Sequence, residues 1–259
     1  MTSARAAVRA GSVLVALALW QLASLQHLDA RVVNFANLPA PTDVARATWE
    51  FLHSPKIGYH VKNSLLRVFI GFGAASLVGI ALGVAIGRSK RIEDALLPSL
   101  EILRPIPGVA WIPLAILMFP STEGSIVFIT FIGALFPIVL NTIHGIESLD
   151  PRLVLASRSL GAKTWSILRE VVLPGALPSI VTGLSIGMGS AWFCLVTAEM
   201  IAGQYGIGYY TWESYNLQRY PDIVVGMLFI GFFGMASSAL VKHAGLWLMP
   251  WYQPNKGGS

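Results

Sequence analysis

The chain has 259 residues, of which 54% are hydrophobic and only 12% are charged, about half the charged share of an ordinary soluble domain. This composition excludes a soluble globular protein, because the apolar excess must face lipid, and at about 20 residues per span the length allows several spans. The formal charge of +5 is expected of a membrane protein with basic cytoplasmic loops, and no basic stripe with interleaved aromatic residues points to nucleic acid.

The first predicted element is an apolar membrane helix over residues 10–28. We interpret it as a retained helix rather than a cleaved signal peptide, because no small-residue cleavage site follows it. Residues 41–55 predict a short amphipathic helix that lies on the outer membrane interface, and with the first span it makes up a predicted domain over residues 1–60. The apolar face of this short helix carries Val44, Ala47, Phe51 and Leu52.

A second span is predicted over residues 63–87, and the basic run at 88–91 that ends it indicates the cytoplasmic side. Arg67, near the outer end of this span, is expected to extend its guanidinium group to the lipid headgroups. Small residues along the span favour the close approach of a neighbouring helix. These residues are Gly71, Gly73, Gly79, Gly83 and Gly87.

Two more spans are predicted before the chain becomes polar. Residues 104–120 contain Pro105, Pro107 and Pro113, which predict a kinked helix inside a bundle, since the freed carbonyl groups need protein or water as partners. Residues 124–142 form the fourth predicted span.

The polar interruption at residues 143–175 predicts two short helices. Asp150 is followed by proline, and this pair is typical of a helix start. Gly161 is expected to end the first helix in the left-handed conformation. A second helix is expected over residues 163–172 and is expected to end before Pro174, because proline disfavours helix at the residue preceding it.

These two helices would form a rigid knob that projects into the cytoplasm. Its apolar stripe of Leu153, Ala156 and Leu160 could fill a groove in a partner, while Arg158 and Lys163 meet acidic groups at the rim. The alternative is an ordinary inner loop whose charge only follows the positive-inside pattern.

A fifth span at residues 176–202, an outer loop and a sixth span at 222–241 complete the predicted topology, with both termini in the cytoplasm. The basic residues favour this orientation, since twelve fall inside and six outside. The inner set is Arg5, Arg9, Arg88, Lys90, Arg91, Arg104, Arg152, Arg158, Lys163, Arg169, Lys242 and Lys256, and the outer set is Arg31, Arg46, Lys56, Lys62, Arg67 and Arg219.

Small and polar residues of the fifth span suit either a helix interface or the lining of a transport pathway. Trp192 is interpreted as core packing or as a constriction, and Glu199 as a gating or packing residue or as a solvated interfacial carboxylate. No Lys or Arg is expected in the middle of any span, so the pathway is predicted to be poor in fixed cations. The candidate pathway and gate residues are Trp111, Asn141, Ser190, Trp192, Thr197 and Glu199.

Several kinds of chemistry are excluded by the sequence. It contains no G-x-x-x-x-G-K-S/T motif, so the chain does not bind ATP through a P-loop. The single Cys194 excludes an internal disulfide and a cysteine-based metal cluster. The histidines at 27, 53, 60, 144 and 243 show no metal-ligand spacing, and we expect neither catalysis nor a cofactor on this chain.

The polar loop resembles the cytoplasmic motif of binding-protein-dependent ABC importer permeases, E-A-A-x3-G-x9-I-x-L-P, with Leu155 in place of the Glu and Ser157 in place of the second Ala. The positions aligned with the motif are Leu155, Ala156, Ser157, Gly161, Val171, Leu173 and Pro174, and the Gly and the Leu-Pro carry the match. Further stretches between about residues 39 and 251, including FPIVLNTIHGIESLDP and GIGYYTWES, resemble the subfamily for nitrate, sulfonate, taurine and bicarbonate.

The resemblance implies an all-α bundle of six spans in the bacterial inner membrane, with the type I (MetI-like) permease fold. It implies a transmembrane domain over residues 61–245, a coupling loop at about 144–175 and a cytoplasmic tail at 246–259. Implied partners are a second permease subunit, as in a homodimer, two ATPase subunits that bind ATP and Mg²⁺, a periplasmic substrate-binding protein and the lipid bilayer. The coupling residues would be the motif positions together with Arg158 and Lys163.

Two other functional interpretations follow from the residues alone. An ion-coupled secondary transporter or a channel with a regulatory cytoplasmic loop would need coupling groups at mid-depth, and the chain offers broken helices but no central carboxylate. A membrane enzyme would need clustered catalytic side chains.

Overall fold

The computed structural model describes residues 2–26 and 37–251, and these residues form helices and connecting turns with no strand among them. The predictions that concern His27, Arg31 and Lys256, and the end of the predicted tail from residue 252 onward, lie outside the described residues. We call the end of the bundle near residue 205 the outer end and the end near residue 150 the inner end, following the predicted orientation.

Helix α1 covers Thr2–Leu25, and helix α2 covers Pro41–His53 with its proline in the first turn. The apolar face of α2 packs onto protein, because Phe51 stacks on Tyr210 with ring centroids 4.3 Å apart. Burial, and then the nearby Asp222, raise the pKa of the Tyr210 hydroxyl, which therefore stays protonated. The predicted amphipathic helix is confirmed; protein buries Val44, Ala47 and Phe51 of its apolar face, whereas Leu52, at the edge of the stripe, is exposed.

Helix α3 covers Ile57–Arg88 and is about 48 Å long, more than the roughly 30 Å of a hydrocarbon core. It begins six residues before the predicted span. Ser89 is extended, and helix α4 follows at once over Lys90–Leu103. Helix α4 is not among the predicted elements, because the charged residues of its first turn are typical of a loop that ends a span.

The third predicted span, residues 104–120, is not one kinked helix, because residues 104–107 form a turn after α4 and only residues 108–118 are helical. After α4 the chain turns at two prolines, forms a 3₁₀-helix over Gly108–Trp111, and continues as helix α5 over Ile112–Met118. The axis of α4 and that of the segment Gly108–Met118 meet at 89°. Proline supplies no amide hydrogen and constrains the residue before it, so Pro105 and Pro107 together interrupt the helical hydrogen bonds.

Helix α6 covers Thr122–Glu147 and lies in the centre of the bundle between α3 and α9. The predicted close approach to α3 is confirmed at four of its five glycines, which lie against side chains of α6. At Gly83, for example, an added Cβ would lie 2.5 Å from the Cβ of Thr142. Gly73 instead faces open space.

Helix α7 covers Pro151–Ser159 and helix α8 covers Thr164–Ile167, and a π-helical turn at Leu168–Val172 then leads directly into helix α9, Leu173–Ala202. The prediction that the second short helix ends before Pro174 is therefore wrong. The wider turn, in which Leu173 N–H donates to the Leu168 carbonyl, accommodates a proline ring that would clash inside a regular α-helix.

Helix α10 covers Ile207–Asn216, where the sequence analysis expected only an outer loop, and helix α11 covers Tyr220–Trp247. Among the described residues, four helical segments are long and apolar enough to cross a membrane, and there are five if the bent pair of α4 with the segment Gly108–Met118 counts as one span. The shorter apolar stretch Gly11–Leu25 occupies the position of the first predicted span. The bundle agrees with the predicted all-α fold.

Candidate functional site

The first candidate site is the docking knob, by which we mean helix α7, the turn at Gly161 and the start of α8. Its first helix begins as predicted, because the Asp150 carboxylate accepts a hydrogen bond from the amide of Arg152 at 2.9 Å. At the other end Gly161 has a φ of +79°, and Ala162 N–H donates to the Ser157 carbonyl at 3.0 Å. The left-handed glycine thus closes the helix in a Schellman motif and reverses the chain.

Large apolar side chains of the docking knob are exposed. Leu160 is 88% exposed and Trp165 is 70% exposed, and Leu153 and Leu155 are each more than half exposed. Arg158 and Lys163 are exposed beside them. An apolar surface flanked by cations suits a partner with an apolar groove and an acidic rim.

The remaining residues of the family motif anchor the knob to the bundle. Val171, Leu173 and Pro174 are half-buried within the π-helical turn and the start of α9. Ile167 and Val172, from the same segment, are 2% and 1% exposed, and they pack in a cluster with residues of α6 and α9. Since this segment is continuous with α9, a force on the knob would reach the fifth span through uninterrupted helix.

The second site is the outer ion-pair cluster of Ser64, Arg67, Glu123 and Glu199. Arg67 is 3% exposed and donates to Glu199 at 2.8 Å through Nη1 and to Glu123 at 2.7 Å through Nε. The expectation that Arg67 reaches the headgroups is therefore wrong, because two carboxylates on neighbouring spans pair with it. Ser64 Oγ also donates to Glu199, at 2.8 Å.

The loop before α10 closes the cluster. Glu199, with no exposed surface, accepts a further hydrogen bond from the Gly208 amide at 3.0 Å, and Arg67 Nη1 donates to the Tyr205 carbonyl at 2.6 Å. Gly206 has a φ of +128° and passes so close to the Glu199 carboxylate that a side chain there would overlap it. Glu199 is thus a paired, buried residue, and the interpretation as a solvated interfacial carboxylate is wrong.

The third site is a groove of about 670 Å³ between the chain break after α4 and the facing sides of α6 and α9. Two of the candidate pathway residues, Asn141 and Ser190, line it. Arg104, the first residue of the third predicted span, lines it as well. The groove therefore contains a fixed cation.

The other four candidate pathway residues lie elsewhere in the bundle. Trp192 is 3% exposed and donates through Nε1 to Ser237 at 2.8 Å, as expected of core packing. Trp111 is half-buried, and its Nε1 has no hydrogen-bond partner among the described residues. Thr197 donates to the carbonyl of the residue one turn earlier, and Glu199 belongs to the outer ion-pair cluster. None of the four lines the groove.

Sequence reasoning missed the partners of Arg67 and the position of Arg104. For Arg67 a signal was present, because an arginine and two glutamates in the outer parts of three apolar spans are expected to pair with one another. For Arg104 the signal was absent, since its location depends on the 89° bend.

The family model for "Binding-protein-dependent transport system inner membrane component" matches residues 75–253. The chain is 37% identical over 209 residues to the nitrate import permease protein NrtB of Synechocystis sp., covering 77% of this chain and 76% of that protein. It is 36% identical over 236 residues to the putative aliphatic sulfonates transport permease protein SsuC of Escherichia coli, covering 90% and 87%.

Among solved structures, the fold is similar to a chain of the MetNI methionine ABC transporter in an inward-facing conformation. The TM-score is 0.55 and the sequence identity 19%, with 83% of this chain and 98% of that chain covered.

Proposed function

Because this chain belongs to the family of binding-protein-dependent transport system inner membrane components and is a permease of the ABC importer type, we propose that it imports a small anion and is driven through the docking knob. The family resemblance predicted from the loop motif is thereby confirmed. The alternative interpretation, an ion-coupled secondary transporter or channel, is not favoured, because the family that this chain belongs to is one of ABC importer permeases.

The observation that carries the proposal is the exposed apolar surface of the docking knob. Leu160 and Trp165 would cost free energy if left in water, at about 25 cal/mol per Å² of apolar area, so a partner that covers them gains that energy. The partner we propose is a cytoplasmic ATPase subunit, which would carry the ATP and Mg²⁺ that this chain has no P-loop to bind. Closure of two such subunits would push on α9 through the continuous helix from Thr164 to Ala202.

The proposed cargo is a small oxyanion. Relatives that cover three quarters or more of this chain are named for nitrate and for aliphatic sulfonates, and both substrates are compact anions rich in oxygen acceptors. Bicarbonate and taurine are the further candidates from the sequence resemblance. A periplasmic binding protein would deliver the anion, so the permease itself needs only weak contacts that permit release.

The chain is a multi-pass inner-membrane protein, and the proposed assembly contains two permease copies, two ATPase subunits and one binding protein. In the proposed orientation both termini and the docking knob face the cytoplasm, while the outer ion-pair cluster lies near the periplasm. Twelve inner against six outer basic residues support this orientation.

The proposal is tested by uptake into proteoliposomes that contain the complete complex, with the binding protein and labelled nitrate, bicarbonate or taurine on the outer side. We expect ATP-dependent uptake of one of these anions and no uptake when ATP is omitted. Uptake that persists without ATP and follows an imposed proton or sodium gradient would instead indicate a secondary transporter.

A further inference from the structure

The groove described above reaches into the middle of the bundle. An added Cβ on Gly108 would lie 2.5 Å from Cys194 Sγ and 4.0 Å from the Cα of Gly133, so the chain at Gly108 rests on central parts of α6 and α9. Four residues of chain extend at most about 14 Å. The Cα of Arg104 is therefore within that distance of the centre of the bundle, and its side chain lines the same groove as Asn141 and Ser190.

The groove carries hydrogen-bond donors that the rest of the described chain does not use. The guanidinium group of Arg104 makes no hydrogen bond or ion pair with any other described residue, in contrast to the fully paired Arg67. The Ser190 hydroxyl also has no partner among the described residues. Asn141 donates one amide hydrogen to the Pro137 carbonyl at 2.8 Å, which leaves its second amide hydrogen free.

The positive charge of Arg104 is not offset by any acidic side chain among the described residues that line the groove. None of the described residues that line it carries a carboxylate, and the remaining lining is mostly apolar or glycine. Arg104 is itself exposed, so solvent partly screens its attraction for anions, while the apolar walls beside it limit that screening. A guanidinium group also presents its donors in a planar fork that matches two oxygens of an oxyanion.

We propose that Arg104, with Ser190 and Asn141, forms a transient anion site in the transport pathway and determines the preference for anionic cargo. This inference rests on the proposed function, and it takes the groove to be part of the cargo's path. The site would hold nitrate, bicarbonate or a sulfonate through two or three donors, and it would hold each weakly because the groove is open and the donors come from only three side chains.

The electrostatic part of the proposal is tested without transport. Ser190→Cys in a Cys194→Ala background, in the assembled complex, is reacted with an anionic thiol reagent that carries a sulfonate and with a cationic one of similar size. We expect the anionic-to-cationic rate ratio to fall about tenfold when Arg104→Gln is added, and to be retained with Arg104→Lys. Arg91→Gln, which removes an exposed cation outside the groove, is the matched control and should leave the ratio unchanged. An equal ratio with and without the Arg104 charge would overturn the proposal.

A transport measurement separates this inference from the proposed function. In proteoliposomes with the binding protein and nitrate, bicarbonate or taurine, we expect Arg104→Gln to reduce the rate of ATP-driven uptake tenfold or more, and Arg104→Lys to restore most of it. If the unmodified complex imports an anion and Arg104→Gln imports it equally fast, the anion site is wrong and the importer stands. If the unmodified complex imports none of the three, the proposed function itself fails, whereas the reagent ratio still reports on the charge of the groove.

Discussion

Arg67 and Glu199 form a buried ion pair between α3 and α9, with Nη1 2.8 Å from Oε1 and side-chain exposures of 3% and 0%. Glu123 at the start of α6 binds the other side of the same guanidinium group, so one arginine joins the outer ends of three spans. The carbonyl of Tyr205, in the loop before α10, and the amide of Gly208, in the first turn of α10, bind the same pair.

The first prediction concerns the stability of this cluster. Glu199→Gln removes the buried carboxylate and leaves Arg67 with the partly exposed Glu123 as its remaining charged partner, so the cost should be a part of the roughly 3–5 kcal/mol typical of breaking a buried ion pair. Glu123→Gln is the matched control, because Glu123 is 61% exposed and its loss should cost about 1 kcal/mol or less. Thermal unfolding of the purified protein measures both, and an equal loss for the two variants would show that burial does not control the strength of the pair.

The second prediction concerns gating by Glu199. Because its carboxylate binds both the start of α10 and residues of α3, Glu199→Gln should alter ATP-coupled uptake as well as stability. The measurement is initial uptake per folded complex, so that loss of protein is not counted as loss of transport. Uptake equal to that of the unmodified complex would leave Glu199 as a purely structural residue.

The third prediction concerns the packing of α3 on α6. An added Cβ at Gly83 would lie 2.5 Å from the Cβ of Thr142, so Gly83→Ala must push the helices apart and should cost about 1–3 kcal/mol. Gly73→Ala on the same helix is the control, since nothing lies within 4 Å of the added carbon. It should be neutral or slightly stabilising, because alanine favours helix over glycine. Unfolding temperatures that rank the two variants in the opposite order would contradict the observed interface.

These positions show which parts of the molecule were predictable from the sequence. The start of α7 at Asp150, the reversal at Gly161 and the glycine face of α3 were predicted correctly, because each depends on a few neighbouring residues. The partners of Arg67 lie 56 and 132 residues away, and no local rule specifies such a pairing.

Errors at helix boundaries had a different cause. A basic run such as the one around Lys90 and a proline such as Pro174 are both typical of the end of a helix. Helix α4 nevertheless begins at Lys90, and a π-helical turn before Pro174 lets the helix continue into α9. The position of Arg104 depends in turn on the 89° bend after α4, so the fixed cation of the groove could not be found before the fold was known.

The fourth prediction concerns topology. In a Cys194→Ala background, Lys163→Cys should react with a membrane-impermeant thiol reagent only from the cytoplasmic side, because the docking knob is expected to lie inside. Leu217→Cys, exposed at the other end of the bundle, should react only from the periplasmic side and is the internal control. Labelling of residue 163 from the periplasm would require a topology with one span fewer before the knob.

The central claim is that the docking knob binds the ATPase subunit, and co-purification of that subunit with a tagged permease tests it most directly. Leu160, 88% exposed, is changed to Asp, and Leu217, 59% exposed on the outer side, is changed to Asp as the matched control. We predict that Leu160→Asp reduces the co-purified ATPase at least tenfold, because a charge replaces a buried apolar contact, while Leu217→Asp leaves it unchanged. Retention of the ATPase by a folded Leu160→Asp protein, together with normal uptake, would contradict the account.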